Sequence, residues 1–388
     1  MTSSAEVVEE LDDFLLTESE KVVLGLIFQQ GALTQAQISA ETGLTQQSAS
    51  RIVNRLTEAR FLIESERIAT GRRGYPSISF RLNPDAAQAF GFSLTHHAGT
   101  LTLVNFAGEV LAKRSRAFRA MSQRDVLQWL EETCAELRAE HPGDGARLAG
   151  LGVAVSGSHI GPGESDGYNT PHELEEWAGI DIAALMSGRL GLPVWTDNNG
   201  NLAALAEAKV GVGRWADSFA YLYIGAGVGG GVVLDGELWR GRNGNAGEFA
   251  GGLPSNIYPF PNLELLRRIL VDEGIAMASV AELVERFDPA WPGIGDWITR
   301  VRDSFSIIAS NATAILDVDL IVLGGEMPTA LAERLIPRID LFDQKRRSVP
   351  RPTARIVPAE TTGNPAALGA AILPFERRFF RRPRNVRE

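Results

Sequence analysis

Two stretches of this sequence hold residue types suited to chemistry. The first is Tyr221-Leu-Tyr-Ile-Gly-Ala-Gly-Val-Gly-Gly-Gly-Val-Val-Leu-Asp-Gly, residues 221–236. An apolar strand runs into a loop with glycine at 225, 227, 229, 230 and 231, and a second strand leads away. Loops without side chains let backbone N–H groups approach a phosphate or another polar ligand closely. A phosphoryl-transfer loop usually adds a hydroxyl, and the position for it holds Ala226. The second stretch is Thr45-Gln-Gln-Ser-Ala-Ser-Arg-Ile-Val-Asn-Arg. Thr45, Gln46, Gln47, Ser48, Ser50, Arg51, Asn54 and Arg55 crowd amides, hydroxyls and guanidinium groups onto one short segment. Amides and guanidinium groups pair bidentately with base edges, and hydroxyls reach phosphates.

The second stretch needs a scaffold. Residues 17–30 fit a helix capped by Thr17 or Ser19, with Val22, Val23, Leu26 and Ile27 on its apolar face and Gly31 ending it. Thr34 caps a short helix over 34–42 with Ile38 inward, and Gly43-Leu44 makes a tight turn. Thr45 caps a third helix over 46–60 that faces Ala49, Ile52, Val53 and Leu56 inward. A short helix, a glycine turn and a second helix is the helix-turn-helix layout. Residues 61–82 then alternate about the tip Thr70-Gly-Arg-Arg-Gly-Tyr-Pro, a two-stranded wing. Its Arg72 and Arg73 suit a phosphate backbone or a narrow minor groove. Between residues 45 and 81, seven arginines stand against three glutamates. This segment reads as a winged helix for double-stranded DNA. The competing readings are a helical domain with a solvated charged face and a protein-binding winged helix.

Composition narrows the rest. A net charge of −10 over 388 residues argues against a protein that coats nucleic acid, and leaves a local basic patch free to bind it. Cys134 is the only cysteine, so neither an intramolecular disulfide nor a cysteine-built zinc site is expected, which fits a reducing cytoplasm. The N-terminus is acidic and has no h-region of a signal peptide, and no apolar run is long enough to span a bilayer.

Asn83-Pro84 is the expected boundary. It divides an extension (1–16) and a winged helix-turn-helix domain (17–83) from a larger effector domain (84–388). Strands near 90–94, 100–105 and 110–116, a helix over 122–140 and a strand near 149–155 open the larger part. A second set of strands and helices follows, closing with a helix over 365–375. Two similar halves predict two α/β lobes around a cleft, one about 88–196 plus the C-terminal helix and one about 197–364. Trp177, Trp195, Trp215 and Trp239 are expected in the core, with Trp239 near the cleft.

Four segments carry a family resemblance by their order and spacing. They are Ile224-Gly-Ala-Gly-Val-Gly-Gly-Gly, Arg240-Gly-Arg-Asn-Gly-Asn-Ala-Gly-Glu, Ile321-Val-Leu-Gly-Gly-Glu and Asn364-Pro-Ala-Ala-Leu-Gly-Ala-Ala. From about residue 17 onward the chain resembles the ROK family (repressors, open reading frames and kinases), and most of all its winged-helix repressors of the xylose and N-acetylglucosamine group. The resemblance implies an actin-like (RNase H-like), two-lobed sugar-kinase fold behind the winged helix.

The departures from the family's kinases bear on activity. The first phosphate loop, Asp-x-Gly-x-x-Thr-like in the kinases, maps onto Ser93, Thr95 and His97, and the second has Ala226 for threonine. The catalytic aspartate maps onto Asn199, next to Asn198 and eight residues before Glu207. An amide cannot take a proton from a sugar hydroxyl, although it can still hydrogen-bond it. Asn198 and Asn199 could also simply cap the helix that follows. The sugar-contacting histidine maps onto Gly251, and the three zinc-loop cysteines onto Ser255, Ile257 and Asn262, so no structural zinc and no cofactor are expected. Glu248 and Glu264 match the family and remain candidate acceptors for sugar hydroxyls beside Asn198 and Asn199. With three phosphate or catalytic positions altered, the chain reads as a non-enzymatic, sugar-responsive DNA-binding regulator. The expected partners are a roughly palindromic operator, a small carbohydrate and a second copy, as dimer or tetramer. A bifunctional sugar kinase with an attached DNA-binding module is the alternative.

Overall fold

A computed structural model of the chain describes residues 15–68, 77–143, 145–160, 167–342 and 352–382. The wing tip with Arg72 and Arg73 lies outside these residues.

The described chain begins with three helices, α1 (Glu18–Gln30), α2 (Gln35–Thr42) and α3 (Gln46–Glu58). Threonine caps each of them. The Oγ of Thr17, Thr34 and Thr45 accepts from the backbone N–H of Glu20, Gln37 and Ser48 respectively. In α1 and α2 the third residue reaches back to complete a capping box, so both orphan donors are satisfied locally. Gly43 takes the left-handed conformation between α2 and α3, which frees the chain to turn. Strand β1 (Leu33–Thr34) and the wing strands β2 (Leu62–Ile68) and β3 (Ser77–Leu82) form a small sheet in the order β1-β3-β2. Ala49, Ile52, Val53 and Leu56 are buried along α3, as its periodicity predicts. The apolar stripe of α1 is wider than its sequence suggests, because Leu24 and Phe28 are buried as well.

Next come β4 (Ala87–Leu94), β5 (Ala98–Asn105), β6 (Val110–Ala117), helix α4 (Gln123–Glu140) and β7 (Arg147–Val155). They are followed by the short pair β8 (Ser158–His159) and β9 (Tyr168–Asn169), helix α5 (Ile182–Leu190) and β10 (Val194–Asn198). The later half holds α6 (Asn199–Val210), β11 (Phe219–Ile224), β12 (Val228–Leu234), β13 (Glu237–Trp239), α7 (Leu263–Asp272), α8 (Val280–Glu285) and α9 (Ile294–Leu316). It ends with β14 (Leu320–Gly325), α10 (Thr329–Leu335), β15 (Arg355–Pro358) and α11 (Pro365–Arg378).

The two five-stranded sheets run β6-β5-β4-β7-β10 and β13-β12-β11-β14-β15. In each, the first strand of its half pairs antiparallel with the second and parallel with the fourth. This shared order is the internal duplication of the α/β part. The chain divides into two compact units. One holds residues up to Val155, Pro171–Asp197 and residues from Ala370 onward; the other holds Ser156–Thr170 and Asn198–Gly369.

Within the first unit the winged helix rests on the C-terminal residues. The Arg381 N–H donates to the Lys21 carbonyl at 3.0 Å. Phe380 stacks on Phe28 with ring centroids 4.8 Å apart, and Phe61 meets both Phe106 and Phe379. The second unit is built on α9, whose Trp297, Val301, Phe305, Ile308 and Ala312 belong to one apolar cluster with Ala220, Leu222 and Ile224 of β11. Each of the Val, Leu, Ile and Phe side chains among these contributes on the order of 1.5–3 kcal/mol by leaving water.

Trp177 is buried, with its indole N–H donating to the Met121 carbonyl at 2.6 Å. Trp195 is partly buried. Trp215 and Trp239 correct the expectation of a core position, since about half of each is exposed. The Trp215 indole N–H is held at 2.9 Å by Glu360, and Arg355 lies over its ring, so polar partners stabilise it at the surface.

Candidate functional site

Along α3 the outward residues are Gln46, Gln47, Arg51, Asn54 and Arg55, all exposed, with Ser50 partly so. The Thr45 Oγ serves the helix start, and its hydroxyl also contacts the Ser48 hydroxyl at 3.0 Å. Arg55 is engaged within the fold. Its Nη1 lies 2.8 Å from Glu20, whose side chain is buried, and its Nη2 donates to the Leu15 carbonyl at 3.4 Å. Beside Arg55, the outward face of α3 holds Gln46, Gln47, Ser50, Arg51 and Asn54. An amphipathic helix held by four buried apolar residues presents these groups as a rigid row.

The second constellation lies in the second unit, at the start of α6. Asn198 is the N-cap, and its Oδ1 accepts the Gly200 N–H at 2.7 Å while its Nδ2 donates to the Gly157 carbonyl. Asn199 is the first helical residue and is only 6% exposed. Its Nδ2 donates to the Ser156 Oγ at 2.7 Å, which leaves its buried Oδ1 without a hydrogen-bond partner among the described residues. Asn245 knits the neighbouring segment together. The His159 N–H donates to its Oδ1 and its Nδ2 donates back to the His159 carbonyl, both at 2.7 Å. Ser156 and Asn245 are absent from the set read from sequence. Asn245 lies inside the glycine-rich motif quoted above, whereas nothing local marks Ser156.

The glycines of β12 let the start of α6 and the segment preceding Glu248 lie against the same strand. A Cβ on Gly230 would lie 2.3 Å from the Tyr221 carbonyl oxygen and 2.9 Å from the Gly247 carbonyl oxygen. A Cβ on Gly200 would in turn lie 2.3 Å from the Gly230 carbonyl oxygen. The start of α6 and the Ala246-Gly247-Glu248 segment can both sit on this strand only because it carries no side chain there. Glu248 projects from this segment as an exposed residue, yet partial desolvation still pushes its carboxyl above the usual carboxylate range. Glu264 has different partners. In the first turn of α7 it receives Nε and Nη2 of Arg267 at 2.8 and 2.7 Å and Nε of Arg268 at 3.2 Å. The Arg267 hydrogen bond holds its carboxyl below the usual range.

Comparison with known proteins identifies both parts. The MarR family profile matches residues 16–74, and the ROK family profile matches residues 92–255. The chain carries a ROK-family domain behind a MarR-type winged helix. A relative from Sinorhizobium fredii, the uncharacterized protein y4fQ, is 27% identical over 94% of this chain and 92% of its own length. A putative xylose repressor from a Caldicellulosiruptor species is 28% identical over 58% of this chain and 56% of its own length. The chain thus spans little more than half of that repressor. Among solved structures, a ROK family transcriptional regulator described as a homologue of the E. coli MLC protein superposes with a TM-score of 0.67 at 20% identity, covering 96% of this chain and 97% of that one. A ROK family glucokinase from Streptomyces griseus, solved with glucose and AMPPNP, superposes with a TM-score of 0.57 at 18% identity, covering 74% of this chain and 99% of that one. Both superpositions show the shared fold.

The positions that the family resemblance maps onto phosphate and proton transfer fall at separate points of the fold. Ser93 sits in β4 and is fully buried, and its Oγ makes no hydrogen bond among the described residues. Ala226 lies in the β11–β12 turn and Asn199 starts α6. Among the described residues no group of three or more His, Cys, Asp or Glu is arranged to hold a metal ion, and no helix is long and apolar enough to cross a membrane.

Proposed function

We propose that the chain is a cytoplasmic DNA-binding transcriptional regulator, a repressor, whose ROK domain binds a small carbohydrate or sugar derivative without phosphorylating it. The observation that carries this reading is Asn199. At the position that the family resemblance gives to a catalytic base, it offers a buried amide oxygen with no hydrogen-bond partner among the described residues. A buried acceptor left unsatisfied costs about 1–3 kcal/mol, and a ligand hydroxyl would recover it. Glu248 is the second acceptor of the effector, and Asn198 orients the start of α6. Glu264 joins the effector contacts only on release of Arg267 and Arg268, whose guanidinium groups hold it in the free protein.

The exposed row of Gln46, Gln47, Ser50, Arg51 and Asn54 would enter the major groove, with Arg72 and Arg73 on the wing tip against the backbone. Two copies would read a roughly palindromic operator. Effector binding would shift DNA affinity by a coupling of about 1–3 kcal/mol.

The test is a thermal-shift screen of sugars, sugar acids, polyols and sugar phosphates on the purified protein, followed by titration of promoter DNA with and without each hit. A stabilising carbohydrate that changes DNA affinity is the expected result. Replacing Arg51 by alanine should weaken DNA binding by about 1–3 kcal/mol. Turnover of a sugar with ATP and Mg²⁺ that Glu248→Ala abolishes would overturn the non-enzymatic reading.

A further inference from the structure

The chain approaches α1 from beside α3. Arg55 of α3 holds that point, with its Nη2 donating to the Leu15 carbonyl at 3.4 Å and its Nη1 facing Glu20 at 2.8 Å. Leu15 itself is 81% exposed. Residues 1–14 lie outside the described residues, and they join the fold at this point. They carry Glu6, Glu9, Glu10, Asp12 and Asp13 and no lysine or arginine. Carboxylates this dense on a short run are a strong local source of negative potential.

The surface beside Leu15 has the opposite character. Gln47, Arg51 and Arg55 stand at four-residue intervals along α3, so they share one stripe, and all three are exposed. Arg51 lies about 6 Å along the axis from Arg55. Of the acidic groups about this stripe, Glu20 is buried against Arg55, and Glu58 is exposed at the far end of the helix. Reach is sufficient, since residues 1–14 span about 21 Å as a helix and about 46 Å extended, against roughly 20 Å for the whole of α3. Arg381 also borders α1, and it is already engaged. Its Nε lies 3.7 Å from Glu18, and its Nη1 donates to the Glu376 and Phe380 carbonyls at 3.0 and 2.9 Å.

We propose that residues 1–14 dock on the outward face of α3 as an acidic mimic of the DNA backbone, and that DNA must displace them to reach Arg51. Their carboxylates take the place of phosphates on Arg51, while Arg55 anchors the segment at Leu15. Each such ion pair is exposed and weak alone, and covalent attachment compensates. A short tether gives an effective concentration on the order of 1 mM, so a Kd of about 0.1 mM for the free segment lowers DNA affinity about tenfold. This inference rests on the reading of α3 as the helix that meets DNA.

Two measurements on the full chain test the proposal. The first compares wild type with a neutralised variant carrying Glu6→Gln, Glu9→Gln, Glu10→Gln, Asp12→Asn and Asp13→Asn. Binding of a fluorescent DNA duplex of arbitrary sequence is read by anisotropy at low salt. The neutralised variant should bind about tenfold more tightly, with an unchanged melting temperature. Glu9→Gln with Glu10→Gln alone should gain part of this, and it replaces the larger variant if that one does not fold. The second measurement titrates a fluorescent peptide of residues 1–16 into the neutralised variant without DNA. The peptide should bind with a Kd of about 0.1 mM. Adding Arg51→Ala should remove that binding, and adding Arg381→Ala should leave it. Equal DNA affinity of wild type and neutralised variant overturns the proposal. Tighter DNA binding with no binding of the peptide reduces the effect to long-range repulsion and overturns docking. Peptide binding that survives Arg51→Ala and is lost in Arg381→Ala puts the segment on the C-terminal residues and overturns the assigned face. If neither chain binds the duplex, the regulator reading fails, while the peptide titration still decides docking.

Discussion

A Cβ placed on Gly25 would lie 2.4 Å from the carbonyl oxygen of Arg381. Gly25 sits in the middle of α1, where glycine costs about 1 kcal/mol in helix propensity relative to alanine. The C-terminal segment can approach α1 this closely only at such a residue. Gly25→Ala is therefore expected to lower stability, because overpacking against backbone costs about 1–3 kcal/mol and exceeds the propensity gained. Thermal unfolding checks the direction; a melting point equal to or above wild type would show that the contact yields without cost.

Arg55 has two candidate roles that a mutant cycle separates. Its guanidinium faces the buried Glu20 carboxylate at 2.8 Å. Arg55→Ala should destabilise the winged helix by about 1–3 kcal/mol by stranding that carboxylate, and Glu20→Gln in the same chain should recover much of the loss. If DNA affinity recovers together with stability, Arg55 serves the fold. If stability recovers and affinity does not, Arg55 touches the operator itself.

At the effector site, Asn199→Leu and Glu248→Gln should each abolish thermal stabilisation by the carbohydrate identified in the screen, while leaving DNA binding without effector unchanged. The magnitude follows from linkage: effector at about 100 times its Kd stabilises the folded state by ~2.7 kcal/mol, and all of it should disappear. Stabilisation that survives both substitutions would place the ligand elsewhere in the fold.

Glu326 gives a pH signature with a definite sign. Its carboxyl binds a proton more tightly in the folded state than the ordinary value of 4.5, because burial disfavours the charge. The resulting stability is present below pH 4.5 and is lost as pH rises through the raised folded value. Glu326→Gln lacks this titration. Its stability relative to wild type should increase with pH from mildly acidic to neutral, measured by urea unfolding at several pH values. A difference that does not change with pH would remove the desolvated carboxyl from the account.

Much of this architecture was legible because it is specified locally. Thr17, Thr34 and Thr45 announce three helix starts by a hydroxyl one position ahead of an apolar period, and the structure uses all three as caps. The buried row of α3 follows from the same period. The duplicated sheet order was visible only as two similar halves, since strand pairing is non-local. What escaped the sequence depends on distant partners. Leu24 and Phe28 widen the buried stripe of α1, and Phe380 covers Phe28 from the far end of the chain. Trp215 is held at the surface by Glu360 and Arg355, each far along the chain. Glu326 reaches the glycine turn from the end of a neighbouring parallel strand, where no spacing rule connects them. Asn198 shows the limit from the other side, because one side chain both caps a helix and borders the candidate site.

The seat of the winged helix also bears on biosynthesis. Gly25, Phe28 and Phe61 are made early on the ribosome, and their partners Phe379, Phe380 and Arg381 emerge only after both sheets have been synthesised. Domains generally begin to fold as they emerge, so the three helices can form from their own caps while one apolar flank still waits for its cover. A nascent chain stalled before residue 379 would hold a winged helix without that cover. Completion of the packing around α1 is thereby tied to synthesis of residues 379–381, so the order of synthesis sets when this flank of the three helices is covered.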